Sequence, residues 1–272
     1  MKLVKLNSIV TTILVWFVES LYRQIKASTP MGLALTAIST ALVAVATIVF
    51  SFYVPQTRGF FNIGETMVFT AAILFGPVIG AFAGGVGSML ADVLLGYPHY
   101  APATLIIKAT EGAVVGFLSR KKPNFNPKSW KAFTFLIGLV LGVSLSAIGV
   151  VYYTGEVELA LGIPQIISLN TVLTISPIFW YAVGVLIVLL ITLMGLFFDP
   201  EVGWLVFTIL IGGSIMVTGY FIYQQFLLLP LFNIEVLAVA EIPINIGQVL
   251  IGLIVALPII KIVTRSIPQL KK

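Results

Sequence analysis

Apolar runs long enough to cross a bilayer follow one another along most of the chain, separated by short polar or proline-marked breaks. Residues 31–54 carry no charge and exceed the about 20 residues that a spanning helix needs. Two further apolar segments, 62–75 and 76–96, meet at Gly76-Pro77, and a fourth runs from 102 to 118. Residues 132–153 predict a fifth span. The run 163–198 is too long for one perpendicular helix, and Pro164 and Pro177 divide it. It predicts a short external or re-entrant helix and then a span over 178–198. Residues 204–228 and 238–260 complete a set of eight spans.

Residues 1–30 read differently. Thr11, Thr12, Glu19, Arg23 and Lys26 fall on one side of a helix, and Ile13, Leu14, Phe17, Leu21 and Ile25 on the other. No small-x-small cleavage site follows, as a signal peptide would require. An amphipathic helix lying on the cytoplasmic face is expected, with an extra span as the alternative.

The polar positions inside the apolar runs carry the chemistry. Glu65, Asp92, Lys108 and Glu111 all sit in such runs. An ionisable group there is costly and normally faces the bundle interior or a cavity. Lys108 and Glu111 stand at i, i+3 and can pair on one helix. An internal ion pair that holds the bundle and a ligand contact are both compatible with that spacing. Gly76, Gly80, Gly84 and Ser88 recur every four residues and predict a smooth face for close helix packing. Glu241, Asn245 and Gln248 form a polar stripe on one face of the last span, continued by Gly252. Such a stripe either reads a ligand or bonds neighbouring helices.

Two aromatic groups mark one end of the bundle. Tyr97, His99 and Tyr100 lie in a short loop next to Asp92, and Tyr220, Tyr223 and Gln224 end the seventh span. These aromatics are either interface anchors or walls on which a flat ring stacks. Asn62 lies at the same level. The geometry predicts a pocket lined by Glu241, Asn245 and Gln248 with Lys108 and Glu111 opposite, closed by the 97–100 loop and Asn62.

Composition agrees with the pattern. The 272 residues are 59% hydrophobic and 9% charged, against about 25% charged in soluble domains. The chain is an all-α integral membrane protein on this reading. No cysteine and a single histidine exclude thiolate chemistry and a multi-histidine metal site. No phosphate-binding GxxxxGK[ST] loop, HExxH or GxSxG motif occurs, so no enzymatic activity is expected. The net charge of +5 is read by position, as orientation, and not as affinity for nucleic acid. Arg23 and Lys26; Arg120, Lys121, Lys122, Lys128 and Lys131; and Lys261, Arg265, Lys271 and Lys272 all fall on one side of an eight-span arrangement. Both termini are then cytoplasmic, and the loops 55–61 and 97–101 external.

The segment GFFNIGETMVFTAAILFGPVIGAFAGGVGSMLADVLLGYPHYAPATLIIKATEGAVVGFLSRK resembles the first half of the substrate-binding S components of energy-coupling factor (ECF) vitamin transporters. GSIMVTGYFIYQQFLLLPLFNIEVLAVAEIPINIGQVLIGLIVALPIIK resembles their last two helices, and the riboflavin-type group is the nearest in character. The resemblance implies a six-helix bundle that captures riboflavin, pyridoxine, a thiamine precursor or a similar vitamin from outside. It implies docking to a transmembrane coupling subunit and two cytoplasmic ATPases, with ATP hydrolysed by those partners and no cofactor in this chain. Ala34, Ala37 and Ala41 match the family's coupling face on the first span, although Val45 stands where a further alanine is usual.

On this reading residues 1–30 are the N-terminal helix, 31–122 the first four bundle helices, 123–202 an inserted membrane segment, and 203–272 the last two helices and a basic tail. About two transmembrane helices are added to the bundle by the insertion at 129–202, an even number that preserves topology. A solitary carrier or channel, and a membrane enzyme or scaffold, are the alternative functions.

Overall fold

The computed structural model describes residues 30–54, 59–121, 126–163, 167–197 and 200–267. The N-terminal amphipathic helix expected over 1–30 falls almost wholly outside them. The helices are α1 (Pro30–Val49), α2 (Glu65–Phe75), α3 (Pro77–Leu94), α4 (Ala101–Leu118), α5 (Pro127–Tyr152), α6 (Pro177–Phe197), α7 (Pro200–Ile222), α8 (Leu229–Phe232) and α9 (Ala238–Ser266). A wider π-helical stretch, Tyr223–Leu228, joins α7 to α8. Four strands are described: β1 (Phe52–Val54), β2 (Gly59–Phe61), β3 (Gly155–Ile163) and β4 (Ile167–Ile175).

Seven of the described helices are long and apolar enough to cross a membrane. The second expected span is shorter: α2 has 11 residues, about 16 Å at 1.5 Å per residue. Residues 62–64, the expected start of that span, form the turn between β2 and Glu65. Gly76 breaks α2 from α3 with φ of 96°, a conformation in which a side chain would be strained. Gly76 therefore makes the corner, and it still meets α4 closely: a Cβ on Gly116 would come within 2.6 Å of its carbonyl carbon.

The region after α5 corrects the expected external or re-entrant helix. Residues 155–175 form an antiparallel hairpin, β3 against β4, in register from Gly155↔Ile175 to Ile163↔Ile167. Val157, Ile163, Ile167, Thr171, Val172, Thr174 and Ile175 supply the β-branched side chains that favour strands. Residues 52–54 also leave the helix and pair with β2 and β3. The result is a four-stranded sheet of order β2-β1-β3-β4.

Close helix contact is built by glycine. A Cβ on Gly80 would come within 2.8 Å of the Gly112 carbonyl oxygen, and one on Gly84 within 2.8 Å of the Lys108 carbonyl oxygen. Here α3 and α4 meet backbone to backbone. Gly87 faces the Thr40 carbonyl and Val43 of α1. Phe69, Val115, Ile209, Met216, Val249 and Leu253 fill the core between α2, α4, α7 and α9. α5 and α6 pack on each other, with Gly142 against Gly184 and Ser146 donating to the Trp180 carbonyl at 3.1 Å. Leu145, Ile187 and Ile191 of this pair meet Ile246 of α9.

Candidate functional site

The strand-covered end of the bundle encloses a cavity between α1, α3, α4, α7 and α9, with β2 and Asn62 over it. Its open volume is about 40 Å³, room for about three waters. Three hydrogen-bonded groups build its walls.

The first group centres on Lys108, which projects from the middle of α4 with 5% exposure. Its Nζ donates to Glu111 Oε2 at 3.0 Å and also pairs with Glu65 at the start of α2. Both carboxylates are essentially inaccessible. A buried cation needs such partners, because a lone charge there would be strongly destabilising. The ammonium also lies 5.8 Å from the centre of the Tyr220 ring.

The second group joins the α1–α2 connection to α9. Asn62 Nδ2 donates to Gln248 Oε1 at 2.5 Å, and Gln248 Nε2 donates to Asn245 Oδ1 at 2.9 Å. Asn62 Oδ1 accepts from the Gly64 amide at 2.8 Å, which fixes the turn into α2. Glu241 lies a turn earlier on the same face of α9 and lines the cavity.

The third group joins α3, α4 and α7. Tyr220 donates its hydroxyl to Thr104 Oγ1 at 2.9 Å, and Thr104 bonds the Asp92 carboxylate. The second oxygen of Asp92, Oδ2, is buried with no hydrogen-bond partner.

Aromatic side chains cover these groups. Phe60 of β2 lies 5.0 Å from Tyr97 between ring centres, and His99 lies 4.9 Å from Tyr100. Gln224 Nε2 donates to the Tyr100 hydroxyl at 2.9 Å, and the Tyr223 hydroxyl donates to the His99 carbonyl. The π-helical stretch thus starts where α7 grips the 97–100 loop, and such widened turns often occur at functional sites. Burial pushes the Tyr97 and Tyr100 phenols above their usual range and the His99 imidazole below its own. All three rings are therefore neutral near pH 7.

A model of the ECF-type riboflavin transporter S component family matches residues 28–197. The chain belongs to this family. An uncharacterised protein of Pyrococcus woesei is 43% identical over 118 residues, covering 43% of this chain and 70% of the relative. The thiamine precursor transporter HmpT of Lactococcus lactis subsp. cremoris is 34% identical over 94 residues. That match covers 34% of this chain and 57% of HmpT, so the chain spans just over half the length of that relative. The family match runs from α1 through α6, and the cavity of this S component is completed by α7 and α9 beyond it. A transport subunit with many apolar helices is a multi-pass membrane protein.

Eight of the residues singled out in the sequence line the cavity of this S component: Asn62, Asp92, Tyr100, Lys108, Tyr220, Glu241, Asn245 and Gln248. Glu65 and Glu111 stand behind Lys108, and His99, Tyr223 and Gln224 stand behind Tyr100. Thr47, Gly59, Phe60, Ser88 and Thr104 line it as well. By spacing Ser88 is a packing position, and no pattern of their own in the sequence marks the other four. A signal existed for two of them: Ser88 precedes Asp92, and Thr104 precedes Lys108, by one helical turn.

Proposed function

We propose that this S component captures a small vitamin or vitamin precursor and releases it inward when partner subunits hydrolyse ATP. The observation that carries the reading is the convergence of polar side chains from five helices on one covered cavity in a chain of this family. Buried polar groups that converge on a cavity are what a specific small-molecule site requires. The partners are a transmembrane coupling subunit and two cytoplasmic ATPases, and no cofactor is needed in this chain. The substrate contacts are the thirteen residues placed above, in the cavity or directly behind it.

The coupling contact falls on α1, where Ala34, Ala37 and Ala41 are exposed on the side away from the cavity. The α5–α6 pair, within 123–202, stands beside the bundle and contributes no side chain to the cavity lining among the described residues. The covered end faces outward and both chain termini face the cytoplasm.

The test is purification of the tagged full chain from its own cells, with mass spectrometry of the co-purifying proteins and small molecules. A coupling subunit, ATPases and a retained heterocycle are expected. Uptake that persists after deletion of the ATPases would identify a solitary carrier instead.

A further inference from the structure

β4 (Ile167–Ile175) ends the sheet: among the described residues it pairs with β3 alone, over its full nine-residue length and without a bulge. Every second residue of such a strand turns its N–H and C=O away from its partner, to an edge that can take another strand. Proteins usually guard an edge of this length with a charge, a proline or a bulge. The run ISLNTVLTI has no charge and no proline. Val172 and Leu173 are neighbours and lie on opposite faces of the strand, yet both are exposed, at 58% and 46%. Thr174 is exposed too, as are Ile178 and Phe179 where α6 begins. Support from β1 reaches only Ala160 and Leu161 of β3, and a two-stranded hairpin by itself is marginally stable. The hairpin is thus open to a further strand on the β4 side.

We propose that this strand is β4 of a second copy of the chain, paired antiparallel about a two-fold axis at Thr171. The order of residues selects the occupant. Counted outward from Thr171, the run is close to the same in both directions: Asn170 and Val172, Leu169 and Leu173, Ser168 and Thr174, Ile167 and Ile175. In the antiparallel register centred there, isoleucine stands opposite isoleucine, leucine opposite leucine, serine opposite threonine, and Thr171 opposite its own copy. Asn170 with Val172 is the one unlike pair. Matched apolar and hydroxyl pairs across strands stabilise a ladder, whereas like charges directly opposite would oppose it, and this run has none. A contact that uses the same patch on both copies closes at two. The four strands of each copy then join in one sheet of order β2-β1-β3-β4-β4-β3-β1-β2, with a cavity cover at either end. The two-fold axis of an antiparallel strand pair is perpendicular to the sheet. Both copies therefore keep one orientation in one membrane when the sheet lies across the end of the bundle, as β2 does over the cavity.

The experiment is crosslinking of the full chain in its own membranes, where the lack of native cysteine makes every product specific to the introduced site. Thr171→Cys alone should give a disulfide-linked dimer on mild oxidation. Leu169→Cys and Leu173→Cys should each give little dimer alone and much more when co-expressed, because the register places them opposite each other. Thr171→Lys sets two like charges face to face and should weaken association by about fivefold, as should Thr171→Glu. Co-expression of these two variants should restore it, a rescue that a misfolded chain cannot give. The cysteine series decides the matter independently should either charged variant fail to fold. No dimer from Thr171→Cys, a product that joins the chain only to a different protein, or a Leu169→Cys dimer as abundant alone as in the mixture overturns the two-fold pairing. None of these outcomes bears on the vitamin-capture reading, which rests on the cavity.

Discussion

Lys108 sits buried between two carboxylates, Glu65 and Glu111. Half of this arrangement was legible. Lys108 and Glu111 are one turn apart on α4, so spacing alone pairs them. Glu65 could not be joined to them from spacing, because the contact depends on how α2 packs across α4. The same holds for Asn62 and Gln248, whose bond links the two ends of the chain. Replacing Lys108 with Met should leave Glu65 and Glu111 facing each other without a cation, and destabilise the fold by about 3–5 kcal/mol. Adding Glu65→Gln and Glu111→Gln to that variant should recover much of the loss. Thermal unfolding in detergent reads both steps, and a Lys108→Met protein as stable as the native one would show that the pair contributes little.

At the scale of elements, α1 presents two unlike faces. Ser39, Thr40, Val43 and Thr47 are buried, with Thr47 at the cavity, while Ala34, Ala37 and Ala41 are exposed. Small side chains allow another helix to approach closely in a membrane. Ala37→Leu should therefore lower vitamin uptake severalfold while ligand retention by the isolated chain stays normal. A joint loss of uptake and retention would mean that Ala37 packs inside the bundle. The long helices were legible as elements because each is a continuous apolar run between breaks. The hairpin was not, because a proline-divided apolar run suits a short helix as well as a strand. Its β-branched content was the available signal, and pairing with β1 is a tertiary contact that local sequence does not encode.

For the whole molecule, a bundle with internal polar groups is legible from the polar positions inside the apolar runs, and the convergence of those groups on one covered end comes from packing. On the orientation proposed above, the basic clusters face the cytoplasm. Single cysteines placed at Lys121 and Lys272 should be labelled by an impermeant thiol reagent only after the cells are opened, since the native chain has no cysteine to interfere. Labelling of either site in intact cells would reverse the arrangement.

The cavity cover is not an isolated loop. β1 is shared between β2, which lies over the cavity, and β3, which belongs to the hairpin between α5 and α6. Residues Phe52 and Tyr53 pair with Leu161 and Ala160. To uncover the cavity, this sheet must swing as one body or give up those pairings. Contacts that exist with and without ligand cancel in the equilibrium constant, because a state can be favoured only by what differs between its forms. They still raise the barrier that must be crossed in both directions. The sheet should therefore set how long a captured molecule stays, and how slowly one enters, more than how tightly it is held. Ala160→Pro removes a strand N–H from the ladder. It should accelerate association and dissociation by similar factors in stopped-flow measurements and leave Kd nearly unchanged. A looser Kd with an unaltered association rate would show that the strands touch the ligand state itself and not the door to it.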